Sequence, residues 1–171
     1  NDSRIERKGT DKAYNIFGSF TEAALLVLGA KANLYKEDLK DKRIEEIPFS
    51  SERKMMSVLV NEGMREVVYV KGAPEVLLKR CRFIQKDKKI KKLSDEEIKK
   101  IHYENKKMTS KSFRTIAFAY KIQNKLNNDI KNFEKDLIFL GFAGLEDPPR
   151  EEISASIILC QNAGIKVKMI T

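Results

Sequence analysis

Histidine and cysteine are nearly missing from this 171-residue chain, which has one His and two Cys. Cys81 and Cys160 show no Cys-x-x-Cys spacing, so zinc-ribbon and dithiol redox readings are excluded, and two free thiols suit a reducing compartment. His102 alone makes no metal-binding constellation, and no metal site is expected. There is no Walker A run and no G-x-G-x-x-G, so a glycine-rich loop cradling phosphates is excluded. No apolar run reaches the roughly 18–20 residues that span a bilayer. The opening Asn1-Asp2-Ser3-Arg4 carries no secretory or transit pattern and no initiator Met, and reads as the start of an excised piece. No internal repeat is visible.

What the chain does have is positive charge. Lys and Arg number 34 against 25 Asp and Glu, for a net charge of +9 and a pI near 9.4. That balance favours polyanionic partners such as nucleotide phosphates, nucleic acid or an anionic membrane surface. Eight of the cations fall between Lys79 and Lys92, opposed there by Asp87 alone. A helix end running into an exposed hairpin explains the cluster most simply. A nucleic-acid stripe would need aromatics for stacking, and only Phe83 stands among these cations. With 42% hydrophobic and 35% charged residues, the chain suits one domain with a real core and a heavily solvated surface.

Patterning places the elements. Thr21–Ala32 is helical and apolar nearly all round, which predicts burial on most sides, with Ser19 or Thr21 as cap. Ile44–Phe49 meets Pro48 and reads as an edge strand. Met55–Val60 and Glu66–Val70 are strands joined at Asn61-Glu62-Gly63. Pro74 sits in the first turn of a short helix over Ala73–Cys81. Phe83–Lys92 reads as a second hairpin around Lys86-Asp87. Ser94-Asp95-Glu96-Glu97 is a capping box that opens a helix reaching about Met108. Arg114–Ile122 and Leu137–Leu145 read as strands, with a polar loop over 127–136. Arg150–Ala163, closed by Gly164, reads as an amphipathic helix, and Ile165–Ile170 as a strand. That last stretch is βαβ-like, and a domain boundary is expected near Asp147–Pro149.

Nucleotide binding needs a stacking surface, cations for phosphates, and polar groups for the base and ribose. Phe49 followed by Arg53 and Lys54 supplies the first two types, and Lys71-Gly72 a cation with room for close backbone approach. Taken alone, Phe49 reads more simply as a core aromatic beside Pro48, and Lys54 and Lys71 as solvated strand ends.

Six segments, Gly18–Glu22, Phe49–Val58, Lys71–Glu75, Phe113–Ala117, Leu145–Arg150 and 164–171, stand in an order that resembles the nucleotide-binding domain of P-type cation-transporting ATPases. Gly18-Ser19-Phe20-Thr21-Glu22 resembles the family's Gly-Asp-Pro-Thr-Glu helix start, with Phe20 replacing the Pro. Phe49-Ser50-Ser51-Glu52-Arg53-Lys54-Met55-Met56-Ser57-Val58 resembles its Phe-Ser-x-x-Arg-Lys-x-Met-Ser-Val strand, with Ser51 where some relatives have Arg. Lys71-Gly72-Ala73-Pro74-Glu75 resembles its nucleotide-domain signature, and Phe113-Arg114-Thr115-Ile116-Ala117 its Leu-Arg-x-Leu-Ala strand. Leu145-Glu146-Asp147-Pro148-Pro149-Arg150 resembles its hinge, and residues 164–171 the stretch leading to Thr-Gly-Asp. The Lys-Gly-Ala-Pro-Glu and Asp-Pro-Pro-Arg pair is most similar to the calcium-transporting branch.

The resemblance implies an α+β fold: a mostly antiparallel twisted sheet flanked by helices over residues 1–147. A short α/β piece of the phosphorylation domain would follow over 148–171, with Asp147, Pro148, Pro149 and Arg150 as hinge. It implies that Phe49 stacks on adenine, that Glu22 faces the adenine amino group, and that Lys71, Gly72 and Ala73 line the deep end. Lys54 and Arg114 would lie towards ribose and phosphates, while Met56 and Ile116 close apolar walls. ATP is the implied cofactor, with Mg²⁺ held in the parent protein by ligands mostly outside this chain. The implied partners are the phosphorylation and actuator domains of the same parent, at the cytoplasmic face of a membrane that the parent spans elsewhere. Asp11-Lys12-Ala13 lacks the Thr-Gly-Thr of the family's phosphorylated Asp motif, so no catalytic residue is expected and the chain should bind ATP without hydrolysing it. The competing readings are a basic nucleic-acid-binding module centred on 79–92 and a protein-interaction domain without a ligand pocket.

Overall fold

The computed structural model describes residues 3–7, 14–39, 42–123, 134–146, 150 and 152–170. Nine strands and four α-helices are formed among them. Strands β1 (Arg4–Arg7) and β2 (Tyr14–Phe17) make a small antiparallel pair. The other seven form one sheet in the order β3 (Lys42–Ser50), β4 (Met55–Asn61), β5 (Glu66–Gly72), β8 (Arg114–Gln123), β9 (Leu137–Leu145), β6 (Cys81–Lys86) and β7 (Lys89–Lys92). Every neighbouring pair in it is antiparallel except β6 with β9. This is the mixed α+β, mostly antiparallel architecture expected from the sequence.

Local chemistry accounts for the joints. Pro48 cannot donate to a ladder, and it sits on the outer strand β3, where the register slips between Ile47 and Ser50. At the β6–β7 hairpin, Asp87 and Lys88 both take positive φ, as a two-residue mirror-image turn demands. Edge strand β7 is exposed along its length, and its lysines discourage pairing with another chain. The capping box forms as read: Ser94 Oγ accepts from the Glu97 amide and Glu97 reaches back to the Ser94 amide, opening α3 (Asp95–Thr109).

Successive residues of a strand face opposite sides, so the register sorts the two faces of the sheet. One face carries Met55, Leu59, Val68, Val70, Ala117, Ala119, Leu137 and Phe139, packed with Leu77, Leu78 and Leu93 into the core. Ile98 and Ile101 of α3 close over this cluster. The short helix α2 (Pro74–Leu77) continues as a 3-10 turn over Leu78–Arg80.

Two expectations change. Helix α1 (Phe20–Lys31) buries only Ala23 and Ala30, while Leu28 is half exposed, because its main packing among the described residues is against the small β1–β2 pair, which covers one side and not the whole circumference. Residues 165–170 form no strand after α4 (Ile153–Asn162). Alternating side chains define a strand only where a neighbouring chain supplies the ladder, and none of the described strands pairs there. The expected hinge residues Asp147, Pro148 and Pro149 lie outside the described residues, and Arg150 is exposed. No helix among the described residues is long and apolar enough to cross a membrane.

Candidate functional site

On the face of the sheet opposite the core, one row of residues runs across four strands. Met56 of β4 pairs with Lys71 of β5, and Lys71 pairs with Phe118 of β8. On β3 the slip between Ile47 and Ser50 sets both Pro48 and Phe49 against Met56, and Phe49 is 61% exposed. Ile116 and Arg114 follow Phe118 at the two-residue spacing that keeps them on the same face. The pleat and register thus bring together five of the residues singled out in the sequence, Phe49, Met56, Lys71, Ile116 and Arg114. Phe118 was missed, although its place two residues after Ile116 in an alternating strand is a usable signal.

The first turn of α1 reaches this row. Lys71 Nζ donates to Glu22 Oε1 at 2.9 Å, and both side chains are largely shielded from solvent. The second carboxylate oxygen, Oε2, accepts from Ser3 Oγ at 3.3 Å. Arg114 Nη1 lies 3.5 Å from Thr21 Oγ1, which brings the far end of the row under the same turn. Burial of Glu22 works to raise its pKa, but the Lys71 hydrogen bond and charge outweigh it, with help from Ser3, and hold the carboxyl below its usual 4.5.

Lys54, Gly72 and Ala73 meet through the backbone. Lys54 has φ 53°, its amide donates to the Ser50 carbonyl at 2.8 Å, and its own carbonyl accepts from Ala73 N at 2.9 Å. A Cβ at Gly72 would stand 2.6 Å from Lys54 O and 2.6 Å from Met55 Cβ. Glycine is therefore required here by the β3–β4 turn that packs on it. The Lys54 side chain is exposed beside this joint.

Beneath the turn is a buried carboxylate that sequence reading passed over. Glu134 is 4% exposed; its Oε1 accepts from Arg53 and, at 2.5 Å, from Ser57 Oγ, while Arg80 Nη1 lies 3.8 Å from Oε2.

Two hollows lie away from the row. One of about 220 Å³ opens between residues 79–82 and 134–136, smaller than the roughly 300–1,000 Å³ of typical small-molecule sites. Burial pushes the Cys81 thiol there up to about 12, so it stays protonated at neutral pH. The other, about 680 Å³, lies along α4 and residues 164–169. Neither combines an aromatic face with paired polar groups, so chemistry rather than concavity selects the row. In the basic hairpin Phe83 is half-buried, with the Arg82 guanidinium 5.9 Å from its ring centroid, and no second aromatic stands among the cations to build a stacking surface. Among the described residues no three His, Cys, Asp or Glu side chains gather as a metal site.

A family model described as P-type ATPase, cytoplasmic domain N, matches residues 1–152. The chain is 41% identical over 156 residues to calcium-transporting ATPase 1 of Bacillus cereus, covering 90% of this chain and 18% of that protein. It is 39% identical over 175 aligned positions to the calcium-transporting ATPase of Bacillus subtilis, covering all of this chain and 19% of that one. A calcium-transporting ATPase of Plasmodium falciparum is 40% identical over 137 residues, which cover 76% of this chain and 11% of that protein. The chain thus spans about a fifth of the length of the bacterial relatives.

Proposed function

The chain belongs to the cytoplasmic N-domain family of P-type ATPases, and on that premise we propose that it holds ATP on the row from Phe49 to Arg114. In this reading the parent is a cation pump of the calcium-transporting kind. The domain presents the γ-phosphate to a phosphorylation domain elsewhere in the same parent, on the cytoplasmic side of the membrane.

The Glu22–Lys71 pair carries the reading. An ion pair has no net charge, so this end of the row suits a neutral base better than a phosphate. A carboxylate accepts and an ammonium donates, so in this reading Glu22 takes the exocyclic amino group of the base and Lys71 donates to a ring nitrogen. Exposed Phe49 supplies a stacking face, worth about 1–3 kcal/mol for one base. Half-buried Ile116 supplies apolar contact near Lys71, while Met56, buried beside Lys71 on β4, backs this apolar wall. Lys54 and Arg114 are exposed cations at the two margins, available to ribose and phosphates. Gly72 and Ala73 act in this scheme by fixing the Lys54 turn.

Mg²⁺ would travel with the nucleotide, its protein ligands lying mostly in other domains. Phosphoryl transfer depends on an in-line acceptor and on charge neutralisation around the γ-phosphate. The row offers positioning and no acceptor, so binding without turnover is expected. Calorimetric titration with ATP, with and without Mg²⁺, tests this together with a phosphoprotein assay using labelled ATP. Binding that depends weakly on Mg²⁺, with no labelled protein, is the expected result. A phosphorylated residue or steady phosphate release from the pure chain would overturn it.

A further inference from the structure

We propose that Glu134 is a positioning residue for the nucleotide site, acting through Arg53 to hold the β3–β4 turn that carries Phe49 and Lys54. The proposal rests on the ATP reading for its functional half.

Glu134 is a buried carboxylate 81 residues from Arg53 in sequence, and every partner described for it is consistent with a clamp. Arg53 Nη2 and Ser57 Oγ both donate to Oε1. Arg80 Nη1 stands 3.8 Å from Oε2 and also donates to the Glu134 carbonyl at 3.4 Å. One carboxylate thereby joins the β3–β4 turn, the middle of β4, the 3-10 turn after α2, and the approach to β9.

The turn itself has little else of long range to fix it. Its Ser50–Lys54 hydrogen bond and the Arg53 N–H to Ser50 Oγ bond at 3.2 Å are local. Glu52 and Lys54 are exposed, and so is Phe49 just before the turn. Among the described residues two tethers reach beyond the turn: the Ala73 N–H to Lys54 carbonyl bond and the Arg53–Glu134 ion pair. The first fixes the C-terminal end of the turn, the second its middle. Arg53 Nη1 is buried with no hydrogen-bond partner among the described residues, so the guanidinium is committed to Glu134 through its other nitrogen. Buried pairs of this kind often fail to repay their desolvation as net stability, and in this proposal the pair's value lies in fixing geometry.

A binding face that depends on an exposed aromatic benefits from a rigid support, because an ordering cost already met is not charged to the ligand. Off-site changes of this kind alter ligand affinity by roughly 2- to 30-fold. A residue of merely structural value would lower the melting temperature and leave affinity unchanged wherever the protein is folded.

The test uses Glu134→Gln and Arg53→Lys in this chain, each keeping most of the side-chain volume, plus the double variant. Amide exchange at residues 50–54 without nucleotide reads the clamp itself, and ATP affinity reads its consequence. Both single variants should lose protection at 50–54, with core amides of β5 and β8 unchanged, and should bind ATP roughly 2- to 30-fold more weakly. The double variant should be no weaker than the worse single one, because both remove the same contact. Folded variants with unchanged exchange at 50–54, or with altered exchange but wild-type affinity, would overturn the proposal. If wild-type protein itself fails to bind ATP, the nucleotide reading fails and the positioning role fails with it. The exchange data would then still show whether Glu134 holds the turn.

Discussion

Lys71 and Glu22, 49 residues apart in sequence, meet at 2.9 Å across the junction of β5 and the first turn of α1. That contact ties the helix to the sheet and sets a neutral polar pair beside the Met56 and Phe118 side chains. It also makes the joint sensitive to acid. Because Glu22 is held below its ordinary 4.5, it stabilises the fold above about pH 4.5, and that contribution disappears as pH falls through its lowered native pKa. Glu22→Gln should therefore lower the melting temperature most at neutral pH, with the gap to wild type closing below pH 4.5. A gap that stays constant into strong acid would mean that the pair contributes nothing to stability.

Phe49 is 61% exposed, so its truncation should cost the fold little. Phe49→Ala should weaken ATP binding by about 1–3 kcal/mol, or roughly 5- to 150-fold, with the urea midpoint almost unmoved. Unchanged affinity in the folded variant would return Phe49 to an ordinary surface aromatic.

Gly72→Ala places a methyl group 2.6 Å from a backbone carbonyl and 2.6 Å from Met55 Cβ, at a position where neither neighbour is the tip of a flexible side chain. Overpacking of this kind costs about 1–3 kcal/mol. The urea midpoint should fall while the slope of the transition holds. A variant as stable as wild type would show that the turn can shift away from β5.

Ser94→Ala removes the cap of α3, which lies over the core side of the sheet rather than the row. A loss of about 1 kcal/mol in stability is expected, with ATP affinity unchanged. Weaker ATP binding at a temperature where the variant is folded would show coupling between the two faces.

The sequence revealed what local chemistry dictates and little of what register decides. The capping box at Ser94, the turn at Asn61-Glu62-Gly63 and the Pro48 edge strand were legible because each needs only neighbours within a few residues. The Glu22–Lys71 contact was not, since nothing local says that the start of α1 lies against β5; only the resemblance placed both residues at one site. Glu134 was missed for a related reason. In Phe133-Glu134-Lys135-Asp136 a carboxylate looks solvated, and its burial depends on Arg53 and Ser57 arriving from 81 and 77 residues away. At residues 165–170 the error ran the other way: alternation was read as a strand where no described strand supplies a ladder.

The central claim is that ATP sits on the row from Phe49 to Arg114. Chemical shifts followed during an ATP titration of isotope-labelled protein test it most directly. Signals of Phe49, Met56, Lys71 and Ile116 should move together along one binding curve, and Glu22→Gln should shift that curve to higher ATP concentration. Saturating ATP that moves only signals of residues 79–92, in a manner abolished by salt, would contradict the account and reduce the interaction to nonspecific charge.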